Sequence, residues 1–175
     1  LGNRSILADP TIGTMQRDLN MRIKYREGFR PFAPAVLSEK ASEWFDISVD
    51  SPYMLFVRQI AQTQRLEVVE KSKHSSLISH QLNKIRSSIP AVTHVDFTSR
   101  VQTVSKEFNA KFYSLIHEFD RITNCPILVN TSMNVRGEPI VCSPEDAFRC
   151  FMTAKLDYLV IGNCILKKED QYLNW

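Results

Sequence analysis

The chain has 175 residues, 43% of them apolar, with 22 Lys and Arg against 19 Asp and Glu for a formal net charge of +3. That length suits one domain able to bury a real core, no apolar run is long enough for a membrane span, and no signal peptide is recognisable. The mild charge excess lies among acids, and with a pI near 8.7 it fits a small anionic ligand better than a nucleic-acid stripe.

The first ten residues set Arg4 next to Ser5, just before an expected helix start. Asp9 and Pro10 are read as the cap of a helix running to about Arg26, with Ile12, Met15, Leu19 and Ile23 at 3.6-residue spacing on its apolar side. The following segment, IKYREGFRPFAP, places Lys24, Arg26 and Arg30 within seven residues and ends in a Pro-Phe-Ala-Pro run too rigid to continue a helix. Phe32 to Leu37 and Tyr53 to Ile60 read as strands, with a helical turn over Glu39 to Phe45 between them. Gln62 to Pro90 carries no motif and reads as a variable insertion. His94 to Thr103 is a β-rich run that contains Arg100.

Ser105 to Asn124 is the clearest helix, with a core stripe of Phe108, Phe112, Leu115, Ile116, Phe119 and Ile122. Pro126 to Val129 reads as a buried strand, and it leads into Asn130 to Val141, where two amides, two hydroxyls and a Gly-Glu-Pro turn crowd together. Ser143 is expected to cap the next helix, with Pro144 in its first turn and Asp146 reaching back. Leu156 to Leu166 closes the chain as a strand broken at Gly162. Alternating strands and helices give an α/β domain with helices packed on a twisted sheet.

Polar groups at the end of a buried strand mark a place where α/β proteins hold ligands, although Asn and Ser also serve simply to satisfy their own turn. Three separated segments each supply a cation, and the planar fork of Arg with the point charge of Lys would together make a pocket for phosphates. Each of these cations taken alone reads first as a solvated surface charge. His74, His80, His94 and His117 are scattered without metal-ligand spacing, so each is read as surface or structural. Cys125, Cys142, Cys150 and Cys164 are irregularly spaced, which reads as small buried thiols in a reduced, cytoplasmic protein.

The ordered blocks LGNRSILADP, IKYREGFRPFAP, HVDFTSRVQTV, NTSMNVRGEPIV, SPEDAF and LDYLVIG resemble the C-terminal domain of the O-carbamoyltransferases of antibiotic tailoring and nodulation-factor modification. The resemblance spans nearly the whole chain, with two departures: the family usually has Gly where Phe97 stands and Phe where Met133 stands. It implies that residues 1–175 form a single such domain, a fragment of a longer polypeptide whose N-terminal part holds a metal ion and the carbamoyl acceptor site. The implied fold is α/β of the YrdC-like kind, a twisted open mixed sheet with packed helices and a concave basic pocket.

The chemistry implied by the resemblance is adenylation of a carbamoyl group from carbamoyl phosphate, with ATP and its Mg²⁺ as co-substrate and the N-terminal domain of the same polypeptide as recipient. By position in the matching motifs, Lys24 and Arg30 are the expected ligands of carbamoyl phosphate, and Arg100 and Ser132 the expected contacts to its phosphate or carbamoyl group. Arg4, Asn130 and Asn134 are expected to hold nucleotide or amide, with Thr98 beside them and Asp96 orienting an arginine or assisting Mg²⁺. Two alternatives are a non-catalytic nucleotide- or RNA-binding YrdC-like module and a carbamoyl-transfer domain of the hydrogenase-maturation type.

Overall fold

A computed structural model describes residues 3–67 and 84–171. The sequence order of its main elements is β1 (Ser5–Ala8), α1 (Met15–Asp18), β2 (Ala33–Leu37), α2 (Ala41–Trp44), β3 (Phe56–Gln59), β4 (Thr98–Val104), α3 (Ala110–Thr123), β5 (Ile127–Ser132), α4 (Pro144–Thr153), β6 (Tyr158–Ile161) and β7 (Cys164–Lys167). Five strands form one mixed sheet in the order β1-β5-β2-β4-β3. Only the β2–β4 pairing in it is parallel; β1–β5, β2–β5 and β3–β4 are antiparallel. The chain is therefore a mixed α/β domain, as its patterning implies.

The register assigns each side chain to a face, because directly paired residues project the same way. On one face Ile6, Val36, Val101, Ile127 and Val129 join the main core with Phe45, Ile89 and Phe151. Burying each such side chain contributes about 1.5–3 kcal/mol, so this layer carries most of the stability. The opposite face is divided. Leu37, Val104 and Leu128 are covered there by Phe112 and Ile116 of α3, while Asn130, Ser132, Ala33 and Arg100, at the other end of the same face, stay outside that cluster and line an open cleft.

Several elements differ from their sequence expectation for local reasons. The first helix begins at Met15 because Asp9 is engaged earlier, its Oδ1 accepting from Thr11 N and Thr11 Oγ1 at 2.8 and 2.6 Å. It continues as a π-helical turn over Leu19–Ile23 and stops short of Arg26, since Tyr25 takes the left-handed conformation at φ 47°. In α3 the buried stripe is narrower than expected: Phe112 and Ile116 are buried and Phe119 partly so, whereas Leu115 and Ile122 face solvent and Phe108 lies exposed in the turn before the helix. The third strand is shorter than Tyr53 to Ile60, and the closing strand is a β6–β7 hairpin turned by Gly162 at φ 59°.

The capping box of α4 forms as read. Ser143 Oγ accepts from Asp146 N at 3.1 Å, and the Asp146 carboxylate accepts from Ser143 N at the same distance. All four cysteines are free. Cys125 and Cys150 are buried, and burial pushes the Cys125 thiol up to about 12, but Cys142 and Cys164 are exposed and not the buried hydrophobes expected of them. Most of the Gln62 to Pro90 segment, with His74 and His80, lies outside the described residues. Among the described residues no helix is long and apolar enough to cross a membrane.

Candidate functional site

Two adjoining cavities open at the uncovered end of the sheet. One, of about 550 Å³, is lined by Arg4, Arg26, Arg100, Asn130, Thr131 and Ser132 among others. The second, of about 330 Å³, is lined by Lys24, Arg26, Arg30, Ser132, Asn134 and Arg136 among others. They share Arg26, Thr131 and Ser132, so they form one cleft with a common wall. Six cationic side chains face this cleft and a single carboxylate, Glu27, accompanies them. Like charges gathered so closely repel one another, and a polyanion between them removes that cost.

The three sequence segments meet here because of the sheet order. Strand β5 lies between β1 and β2, which brings Arg4 at the head of β1 and the arginine-rich approach to β2 to the end of β5. Met133 N donates to Arg4 O at 2.9 Å, which fastens the two segments together. Arg4 Nη1 donates to Val141 O at 3.1 Å, and Arg136 Nη1 to Tyr25 O at 3.2 Å. The turn beyond β5 is closed by Asn134 Nδ2 donating to Glu138 O at 2.9 Å, with Gly137 at φ 81° supplying a conformation costly for other residues.

Lys24 is the best-anchored cation. It is buried, and its Nζ donates to Ser132 O at 2.5 Å, Asn134 Oδ1 at 2.8 Å and Asn134 O at 3.0 Å, with Ser132 Oγ at 3.4 Å. Ser132 Oγ itself donates to Asn134 Oδ1 at 2.7 Å. No carboxylate is among these partners. Burial first and the neighbouring Arg26 second push the Lys24 pKa down to about 8. Lys24, Ser132 and Asn134 thus form one hydrogen-bonded knot at the carboxyl end of β5.

Arg26 is the residue that sequence reading left out of the site, although it flagged the segment. Its guanidinium carbon sits 5.0 Å from the centre of the Phe32 ring, and Nε donates to Asn20 Oδ1 at 2.6 Å. Asn20 is fully buried in the π-helical turn, where its Nδ2 donates to Arg30 O at 2.8 Å and Gly28 O at 3.2 Å. One buried amide therefore fixes both the loop and the guanidinium. Burial, and after it Arg30, hold the Arg26 pKa below the ordinary arginine value. Arg136 was also missed, and its only sequence signal is its place inside the polar turn after β5.

The remaining expected residues divide. Arg30 lines the smaller cavity and pairs with Glu27 at 3.6 Å, and Arg100 lines the larger one. Asn130 is buried and donates through Nδ2 to Gln102 Oε1 at 2.7 Å. Asp96 and Thr98 lie outside both linings. They are turned to each other, Asp96 Oδ1 accepting from Thr98 Oγ1 at 2.7 Å and Thr98 N at 3.1 Å, and the Thr98 hydroxyl holds the Asp96 carboxyl below its usual range. His94 bonds the same Thr98 hydroxyl at 2.9 Å, a local role at the start of β4.

Phe97 adopts φ 61°, a backbone conformation that glycine occupies freely and a phenylalanine only at a cost of about 1–2 kcal/mol. Its ring carries the Arg65 guanidinium at 5.1 Å and lines neither cavity. The physical demand at this position is thus the turn. Met133 is a buried core side chain.

Residues 1–168 match the family described as Carbamoyltransferase C-terminus. The chain is 51% identical over 98% of its length to an uncharacterized protein of Synechocystis, covering 28% of that protein. It is 42% identical over 96% of its length to the nodulation protein NolNO of Sinorhizobium fredii, covering 22% of it. To the nodulation protein NolO of Bradyrhizobium diazoefficiens it is 39% identical, again over 96% of the chain, covering 27% of that relative. The chain thus spans about a quarter of the length of these curated relatives.

Proposed function

The chain belongs to the carbamoyltransferase C-terminus family, and from that premise we propose that it forms the part of a carbamoyltransferase that activates the carbamoyl group as an adenylate. The substrates are carbamoyl phosphate and ATP carried as its Mg²⁺ complex. Atom balance requires one water: the carbamoyl carbon–oxygen bond to phosphate is hydrolysed, and an oxygen of the resulting carbamate attacks the α-phosphorus of ATP. The bond from that phosphorus to the bridging oxygen of the β-phosphate breaks, releasing pyrophosphate. The carbamoyl adenylate then passes to a hydroxyl acceptor in the rest of the polypeptide.

The observation that carries this reading is the gathering of six cations and one carboxylate around two cavities that share Arg26 and Ser132. Two polyanionic substrates repel each other, and fixed guanidinium and ammonium groups in a partly dry cleft offset that repulsion and stabilise charge on the departing pyrophosphate. In this reading Lys24, Arg30 and Arg136 hold carbamoyl phosphate in the smaller cavity, Arg4 and Arg100 hold the triphosphate in the larger one, and Arg26 stands between them. The Asn134 amide and the Ser132 hydroxyl hold the carbamoyl group. Among the described residues Glu27 is the one carboxylate in the lining and is already beside Arg30, so in this reading Mg²⁺ arrives with the triphosphate.

The test is isotope exchange between ATP and pyrophosphate in the full-length polypeptide. Exchange that requires carbamoyl phosphate supports adenylation, and exchange that is absent, or indifferent to carbamoyl phosphate, refutes it. A chain whose RNA affinity exceeds its ATP affinity and falls steeply with salt would instead support a nucleic-acid-binding module.

A further inference from the structure

The loop that carries Lys24, Arg26 and Arg30 turns on a strained residue. Tyr25 holds φ 47°, in the left-handed region that glycine enters freely and a residue with a Cβ enters only at a cost. Such conformations persist where the surroundings over-determine them, and they gather at ligand clamps. Lys24 and Arg26 on either side both line the smaller cavity, while Tyr25 itself lines neither cavity. The turn between them sends the Lys24 ammonium to the Ser132–Asn134 knot and the Arg26 guanidinium to Phe32 and Asn20.

Two bonds tie Tyr25 to distant parts of the chain. Its carbonyl accepts from Arg136 Nη1 at 3.2 Å, which joins it to the turn beyond β5, and its hydroxyl donates to Thr153 O, 128 residues away, also at 3.2 Å. Thr153 ends α4, where Lys168 Nζ already donates to Phe151 O and Met152 O at 2.6 Å and to Ala154 O at 3.3 Å. The phenol thus reaches the one carbonyl of residues 151–154 that Lys168 leaves, at a helix end that lacks intrahelical donors of its own. Tyr25 is 47% exposed, so burial explains little of its placement. The hydroxyl explains more.

We propose that Tyr25 is a positioning residue of the cationic cleft. Tethered by its phenol to the end of α4 and bonded through its carbonyl to Arg136, it holds Lys24, Arg26 and Arg136 around the smaller cavity against their mutual repulsion, without touching the ligand. A loop ordered in advance spares the ligand the cost of ordering it. The proposal rests on the reading of the smaller cavity as the carbamoyl phosphate site, and it adds what sets affinity there.

Calorimetric titration of the full-length polypeptide with carbamoyl phosphate and, separately, with ATP tests this. Tyr25→Phe deletes the hydroxyl and keeps the ring. It should weaken carbamoyl phosphate about fivefold, the scale of one lost neutral hydrogen bond, and leave ATP, held in that reading by Arg4 and Arg100, at the parental affinity. Lys168→Met is the control for helix capping: it strips three carbonyls at the same helix end and should lower the melting temperature while leaving carbamoyl phosphate affinity parental. Parental carbamoyl phosphate affinity in Tyr25→Phe, or an equal loss in Lys168→Met, confines the phenol to capping and overturns the proposal while leaving the cleft intact. Equal weakening of both ligands in Tyr25→Phe overturns it as well, since that marks a general loosening. Failure of the parent to bind carbamoyl phosphate overturns the proposal together with the reading beneath it.

Discussion

Replacing Lys24 with methionine removes one ammonium while keeping an unbranched chain of similar length. The parental Nζ makes three hydrogen bonds of 3.0 Å or less, to Ser132 O, Asn134 O and Asn134 Oδ1. Charge-assisted bonds contribute about 1.5–3 kcal/mol each, but here desolvation of the ammonium offsets much of the sum, which is why its pKa falls to about 8. Those bonds fix the ammonium in place and are not made to a ligand; taking its charge out of the cleft should cost about 2–4 kcal/mol in anion binding, the scale of removing one preorganised donor.

The same pKa gives a pH signature. An unfolded chain holds this proton up to about 10.5 and the folded, ligand-free chain only to about 8, so from this group alone stability rises with pH between those values. A bound anion favours the ammonium and raises its pKa, so binding takes up a proton above pH 8, and carbamoyl phosphate affinity falls as pH climbs through that point. Calorimetry of the parent and of Lys24→Met between pH 7 and 9.5 reads both effects. The variant should bind carbamoyl phosphate weakly and show a flatter profile over this range. Parental affinity with an unchanged pH profile would refute the assignment of Lys24 to the anion site.

Arg100→Ala should cost about 2–4 kcal/mol of transition-state stabilisation, read as a fall in carbamoyl-phosphate-dependent pyrophosphate exchange, whereas Asp96→Ala should leave exchange near parental because Asp96 faces Thr98. Asn20→Leu strands the Gly28 carbonyl, leaves the Arg30 carbonyl to Gln16 Nε2 alone and frees Arg26; thermal unfolding should show a loss of about 2–4 kcal/mol. Ser143→Ala breaks the α4 capping box and should cost about 1 kcal/mol of stability, with exchange unaffected.

What the sequence made legible was local. The capping box of α4, the buried strand β5 and the helical character of α3 all depend on neighbours within a few residues; the box stands where it was expected, whereas β5 runs on past Val129 through Ser132 and α3 begins at Ala110, not at Ser105. The stripe of α3 shows the limit. Leu115 and Ile122 lie seven residues apart beside Phe112, Ile116 and Phe119, and only the sheet decides which row is covered, while Phe108 falls before the helix begins. The same holds at the cleft. Lys24, Arg30, Arg100, Arg4 and Ser132 stood out by their polar surroundings, and the fold gathers them around the adjoining cavities. Arg26 did not stand out from its neighbours, because its placement depends on Asn20 reaching forward from a π-helical turn that no residue pattern announces. Asp96 and Thr98 were expected at the site from their place in the resembling motifs, and the fold bonds them to each other outside both cavity linings.

A crystal structure of the full-length polypeptide with carbamoyl phosphate and a non-hydrolysable ATP analogue bears most directly on whether one cleft brings both anions together. The cleft described above requires the phosphates of the two molecules to occupy its adjoining cavities, with the Arg26 guanidinium within hydrogen-bond distance of both. Phosphates bound elsewhere on the chain, or the six cations left facing solvent beside an occupied site, would contradict it.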